Sequence, residues 1–422
     1  MRVLIVGGGG REHALAWKLA QSSRVGDLLC APGNAGTVAL AETIGIPVSD
    51  LDGVVQLAGE RRVDLVVIGP EDPLAAGLAD RLAAAGIATA GPNAAAARIE
   101  SSKVWAKDLM REAGVPTGRA VVVRSVVEGR RAIGEFGAPV VVKADGLAAG
   151  KGVAVCATIE EAEAVLHVFL DQRVLGDAGA TLLIEEHLTG QEVSILALTD
   201  GRTTYQLAPA CDYKRAFDND EGPNTGGMGA YTPVPAVDDD LRRTIQQTIL
   251  EPTVAALDAR GAPMRGVLYA GLILTADGPK VLEFNARFGD PETQVVLPTL
   301  DGDLGELLHA VAHGRLDQVA APEANGAAVG VVLASGGYPG AYRTGVPIDG
   351  LDSVPADVLV FHAGTARDAA GRIVTAGGRI LTVVGCGPDL ATAREHAYAG
   401  AGAISFPSMH HRHDIARREI TV

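Results

Sequence analysis

The sequence predicts a multidomain protein of mixed α/β and α+β class. At 422 residues the chain has room for roughly three domains of about 150 residues each. Its first stretch reads strand, glycine turn, helix. Further on, a strand–glycine loop–strand unit and a long hairpin follow, so the chain changes architecture after its first hundred residues.

Composition narrows the class. Hydrophobic residues make up 47% and charged residues 21%, which is globular and not disordered. A net charge of −15 with no basic stripe argues against a nucleic-acid or anionic-membrane partner. The four cysteines (Cys30, Cys156, Cys211, Cys386) form no C-x-x-C pair, as expected in a reducing compartment without structural zinc. No apolar run approaches transmembrane length. Met1 to Val6 leads straight into a glycine loop, so it reads as a first strand and not a leader. A soluble, cytoplasmic protein is expected.

Residues 2–6 form that strand, Gly7 to Gly10 a turn, and Arg11 to Ser22 a helix whose N-terminus suits an anion. Glu12 stands where a dinucleotide fingerprint needs its third glycine, which disfavours NAD and favours a smaller phosphate-bearing ligand. Val63 to Ile68 is another buried strand. Glu71 and Asp72 lie at its carboxyl end, as site residues or as N-caps of a helix from Leu74 to Ala85. A strand at Ile87 to Ala90 closes a first domain near residue 100. One helix is expected over Ala94 to Ala113.

The next unit runs Val121 to Val123, a helix over 125–136, Val140 to Lys143, a glycine loop to Gly152, and a strand from Val153 to Cys156. The loop has a lysine at each end (Lys143 and Lys151) and suits a flap over a triphosphate, not a Walker motif. Ala180 to Ile184 runs into Glu185-Glu186-His187-Leu188. This segment reads as a hinge whose backbone meets an adenine edge, with Glu192 on the ribose. Asn224 to Tyr231 is a glycine loop too poor in apolar residues to be core.

The hairpin follows. Gly266 to Leu274 is a buried strand, Asp277-Gly278 a turn, and Lys280 to Phe284 the return. Side chains two apart share a face, so Glu283 and Asn285 point together while Phe284 faces the core. A carboxylate beside an amide oxygen suits a hard cation such as Mg²⁺. Arg287 adds a planar fork for a carboxylate or phosphate, its alternative being a salt bridge to Asp290 or Glu292 that only holds the loop. After a linker at Ala321 to Asn325, the tail from Ala327 reads as short strands with a last helix near Leu390 to Ala403. His410, His411, Arg412 and His413 read as a solvated basic end, not a metal site.

Nine blocks in one order carry a resemblance: GGGGREHAL (7–15), APGNAG (31–36), GPEDPLAAGL (69–78), SKVWAKDLM (102–110), KADGLAAGKGV (143–153), DYKRAFDND (212–220), NTGGMGAYTP (224–233), EFNARFGDPETQ (283–294) and TAGGRIL (375–381). With them the chain resembles the phosphoribosylamine–glycine ligase family of the ATP-grasp superfamily. Departures are Ala90 for an aromatic, Ser101 for a glycine, and the tail HHRHDIARR. The resemblance implies an ATP-grasp fold with a Rossmann-like N-terminal domain (1–101). A central domain (102–124 and 189–324), a nucleotide lid (125–188) and a C-terminal sheet domain (325–422) complete it.

It also implies a magnesium- or manganese-dependent monomeric ligase acting on ATP, glycine and 5-phosphoribosylamine. Lys103, Lys143, Lys151, Glu185, Glu186, Leu188 and Glu192 would bind ATP, and Glu283 and Asn285 the metal. Arg287, Asp290 and Lys214 would be catalytic. Gly9, Gly10, Asn34, Glu71, Asp212, Thr225, Gly226 and Gly227 would bind substrate together with Arg287 and Asp290. Either Asp290 or Asp212 would meet the glycine ammonium group.

Overall fold

The structure is a computed structural model that describes residues 1–148 and 152–420. Its first sheet is wholly parallel and runs in the order Glu42–Thr43, Asp27–Pro32, Arg2–Gly7, Leu65–Ile68, Thr89–Ala90. Strand order reverses at Arg2–Gly7, and the crevice at such a switch point is where open α/β sheets bind ligands. Gly7 to Gly10 and Gly69 to Glu71 both end there. Glu12 explains the glycines around it. Its carboxylate folds back to accept the Gly9 N–H at 2.6 Å, and a Cβ on Gly7, at φ +129°, would meet it at 2.6 Å.

A four-stranded sheet follows in the order Ala120–Val123, Leu182–Glu186, Val140–Ala144, Val153–Cys156. Helices Val126–Phe136 and Ile159–Leu166 pack on it around Ile133, Val142, Leu166 and Ile184, a core separate from the rest of the chain. A second antiparallel sheet runs Thr204–Gln206, Gln191–Thr199, Gly266–Thr275, Gly278–Asn285. In its hairpin Tyr269 stands opposite Asn285 and Gly271 opposite Glu283. Phe284 is buried, as period-2 alternation predicts. The last sheet joins Ala327–Ala334, Arg379–Gly387 and Val358–His362 to two strands from the central segment, Cys211–Asp212 and Gly229–Thr232.

Three sequence expectations need correction. The helix expected over Ala94 to Ala113 is two helices, Ala94–Ser101 and Lys103–Ala113. Ser102 turns extended between them and its hydroxyl accepts the Trp105 N–H at 3.2 Å. The helix expected over Leu74 to Ala85 is also two, Glu71–Ala75 and Leu78–Ala84, parted by Gly77 at φ +86°. Glu71 and Asp72 therefore occupy a first turn and cap nothing, because Pro70 holds the cap position.

The tail is not a solvated basic end. Arg412 is 0% exposed, stacked 4.6 Å from the Tyr213 ring, and donates to Asp220 at 2.8 Å and Asp414 at 2.7 Å. His410 bonds the Ala216 carbonyl, and Glu419 accepts from Tyr231 at 2.6 Å. Asp220 and Asp218, which meet Arg412 and His413, lie 192 and 195 residues earlier in the chain, so this segment grips the hairpin Arg215–Phe217 and Glu221–Asn224.

Candidate active site

A cleft of about 1650 Å³ opens between the small sheet, the central sheet and the last sheet. Lys103, Lys143, Glu185, Glu186, Leu188 and Glu192 line one end of it. Lys143, on the strand Val140–Ala144, reaches Glu185 at 2.9 Å and donates to the Leu282 carbonyl at 2.9 Å. It thus ties the small sheet to the hairpin. Lys103 donates to the Gly146 carbonyl at 3.2 Å, and burial pulls its proton affinity down. Glu192 pairs with Lys214 at 2.9 Å, and Glu186 with Arg119 at 2.8 Å. Lys151 lies outside the described residues.

Glu283 and Asn285 also line the cleft. Burial works against the Glu283 charge, yet Lys214, Lys143 and Lys103 outweigh it and hold the carboxyl below its ordinary range. An ionised carboxylate and an amide oxygen on one strand face are hard donors, and this pair fits a hard divalent cation. Among the described residues no three His, Cys, Asp or Glu side chains gather to hold a metal. Any cation here would draw its remaining oxygens from water and a ligand.

Arg287 is the centre of charge. It reaches Glu100 at 2.9 Å and Glu71 at 3.3 Å, not Asp290 or Glu292 as the loop-holding alternative requires. Burial opposes its charge, but Glu100, Glu71 and Glu292 more than compensate. Burial, with Glu71 adding to it, raises Glu100 above the carboxylate range despite Arg287. The buried Arg287 Nε is the atom that faces Glu71, 3.3 Å from its Oε2 but outside hydrogen-bond geometry. A guanidinium fork lining a cleft is the group that suits a carboxylate.

Asp290 accepts from Gln294 at 2.7 Å and pairs with Arg379 of the last sheet at 2.9 Å. Against burial, Arg379 and Arg11 hold it below the usual range. Arg379 also donates to the carbonyls of Gly226 and Asp290. Asp212 and Lys214 flank the paired acids. Burial pushes Asp212 up to about 7; Lys214 opposes this, while Glu292, Glu192 and Glu283 add to it. Burial works to lower Lys214, but Asp212, Glu192 and Glu283 raise it well above its ordinary value. Glu71, Thr225 and Gly226 line the cleft.

Gly9, Gly10, Asn34 and Gly227 lie outside its walls, although Gly9 borders Asp290 and Gly10 borders Gln294. Both ends of the Asn34 amide are engaged internally. It donates to the Gly8 carbonyl at 3.0 Å and the His362 carbonyl at 2.7 Å, and accepts from Gly36 at 2.9 Å. Asn34 joins the first sheet to the last.

Sequence reasoning missed Glu100, Tyr269 and Ser194, which carry no local signature. Arg379 and Glu292 were within reach, since each sits inside one of the quoted blocks.

Three family models match in chain order. "Phosphoribosylglycinamide synthetase, N domain" matches residues 1–100, its "ATP-grasp (A) domain" residues 101–293, and its "C domain" residues 328–418. The chain is 50% identical over 424 residues to the phosphoribosylamine–glycine ligase of a Nostoc species, covering 99% of each. It superposes on the Thermotoga maritima phosphoribosylamine–glycine ligase with a TM-score of 0.86 at 34% identity, covering 98% of this chain and 100% of that one. The biotin carboxylase domain of Hydrogenobacter thermophilus 2-oxoglutarate carboxylase, solved with MgADP, shares the fold alone. Its TM-score is 0.75 at 19% identity, with 97% of this chain and 91% of that one covered.

Proposed function

The chain belongs to the phosphoribosylglycinamide synthetase family and is an ATP-dependent ligase of purine biosynthesis joining glycine to 5-phosphoribosylamine, and we propose that it works through a glycyl phosphate formed beside Arg287. A carboxylate is a poor acyl donor because its leaving group would be oxide. In the proposed first step a glycine carboxylate oxygen attacks the γ-phosphorus of ATP, and ADP leaves. The neutral amine of phosphoribosylamine then attacks the acyl carbon, expels phosphate and sheds a proton. Catalysis of this kind is mostly positioning and charge neutralisation.

The observation that carries this reading is the Arg287 fork, which lines the cleft two residues beyond the end of the hairpin strand at Asn285. Arg287 holds the glycine carboxylate and meets charge arriving on the phosphoryl group, with Lys214 beside it. Lys143, Lys103 and Lys151 hold the phosphates. The backbone around Glu185, Glu186 and Leu188 meets the adenine, and Glu192 the ribose. Gly9, Gly10 and Glu71 hold phosphoribosylamine, with Asn34 shaping that turn. Thr225, Gly226 and Gly227 close over glycine, whose ammonium group meets an acid of the cleft.

Glu283 and Asn285 would hold Mg²⁺ or Mn²⁺, which when bound neutralises charge on the triphosphate. Among the described residues no helix is long and apolar enough to cross a membrane. A cytoplasmic monomer is the reading we adopt. The test is phosphate release from ATP with glycine and freshly made phosphoribosylamine, each omitted in turn. Release undiminished without glycine contradicts the glycyl phosphate.

A further inference from the structure

Most acids of the cleft face a cation. Glu71 and Glu100 share Arg287, Asp290 faces Arg379, and Glu185 and Glu192 face lysines. Among the described residues Asp212, Glu283 and Glu292 form no ion pair within 4.0 Å. The cation site accounts for Glu283. Glu292 is the anomaly, for it is 3% exposed and its Oε1 accepts only from neutral hydroxyls, Tyr269 at 2.8 Å and Ser194 at 3.2 Å.

Its other oxygen lies over Gly289, where a Cβ would come within 2.5 Å, so this turn leaves room for the carboxylate. As first residue of the helix Glu292–Thr299 it gains a partial positive charge from the backbone, which only partly offsets a buried full charge. Asp212 stands close enough to feel the Glu292 charge, and the Tyr269 hydroxyl feels both.

Arg287 lines the same cleft, its Nε 3.3 Å from Glu71 Oε2 and its Nη2 2.9 Å from Glu100. Carboxylates without an ion pair and a guanidinium fork, in one cleft, are complementary to a small zwitterion. We propose that Glu292, together with Asp212, receives the ammonium group of glycine, and that Asp290 does not. Asp290 is held by Gln294 on one oxygen and Arg379 on the other, and so serves as a joint to the last sheet. The proposal rests on the reading that Arg287 holds the glycine carboxylate.

Glycolate tests it, because it keeps the carboxylate of glycine and lacks the ammonium group. In the full-length enzyme with Mg²⁺ and ATP, the glycine KM and the inhibition constant for glycolate are measured on one preparation of each variant. In Glu292→Gln, glycine should weaken at least about tenfold, as when one partner of a buried charge pair is neutralised, while glycolate holds. Asp212→Asn should shift the ratio the same way and serves if Glu292→Gln folds poorly. Asp290→Asn should leave the ratio near the parent value. Arg287→Lys should weaken both ligands in parallel. An unchanged ratio in both Glu292→Gln and Asp212→Asn overturns the proposal, and so does a ratio moved by Asp290→Asn instead. Arg287→Lys weakening neither ligand overturns the carboxylate reading separately.

Discussion

Arg287 Nη2 lies 2.9 Å from one oxygen of Glu100, whose other oxygen accepts the Ala286 N–H at 2.8 Å. One buried carboxylate at the end of the helix Ala94–Ser101 therefore fixes both the backbone and the side chain at the end of the hairpin strand. The next helix begins two residues on and carries Lys103. The junction sets two charged groups of the cleft at once.

Glu100→Gln keeps an acceptor for Ala286 but turns an amide N–H₂ toward Arg287. The glycine KM should rise about tenfold or more, the scale for neutralising one side of a buried pair, with ATP affinity nearly unchanged. Glycine and ATP saturation curves check this. A lower melting temperature with an unaltered glycine KM would mean that Glu100 only holds the fold.

Glu283→Gln and Asn285→Ala should fold normally, since both side chains face the cleft while Phe284 faces the core. Each should raise the Mg²⁺ concentration needed for half-maximal rate. Full activity of either variant at low Mg²⁺ would remove that residue from the cation site.

Much of this was legible in advance because it is local. Period-2 alternation placed Glu283 and Asn285 on one face, and the strand Val153–Cys156 and helix Leu390–Ala403 stand where apolar pattern put them. The first α/β unit was legible as strand, glycine turn and helix, and its Rossmann-like sheet only through the resemblance. Pairings of charge were not legible. Arg287 has acids three and five residues away in Asp290 and Glu292, yet it pairs with Glu71 and Glu100 from other elements. Arg412 looks solvated among histidines until folding brings Asp220 to it. The break at Ser102 was hidden because good helix formers flank it, alanines before it and Lys, Leu, Met, Arg and Glu after it.

Arg412→Ala removes a fully buried fork from two aspartates and an aromatic face. It should cost about 3 kcal/mol or more in stability, the usual scale for breaking a buried pair. Arg412→Lys should restore only part, because lysine lacks the bidentate geometry. Urea or thermal unfolding of the three proteins measures it. Parent-like stability of Arg412→Ala would contradict a gripping tail.

Burial, with His362 nearby, lowers His13 to about 3, and burial with Arg367 lowers His362 to about 4. Both folded values lie below the unfolded value of about 6.5, so the unfolded chain takes up protons first as pH falls. Their contribution is complete above about pH 6.5 and is lost as pH falls to about 4 for His362 and about 3 for His13, at up to ~1.4 kcal/mol per pH unit for each. His13→Asn should flatten the dependence of melting temperature on pH between 6.5 and 4.5. An unchanged slope would mean that His13 is not held neutral.

Glycine activation centres on the fork of Arg287, and Arg287→Lys tests that role most directly. Lysine keeps the charge and loses the bidentate geometry. Glycine saturation of phosphate release and melting temperature should be measured on one preparation. We predict near-normal ATP affinity, a raised glycine KM, and glycine-dependent release lower by ~10²–10³-fold, as for loss of one transition-state donor. A fall in melting temperature with near-normal glycine affinity would contradict the account, leaving Arg287 as a structural tie to Glu71 and Glu100.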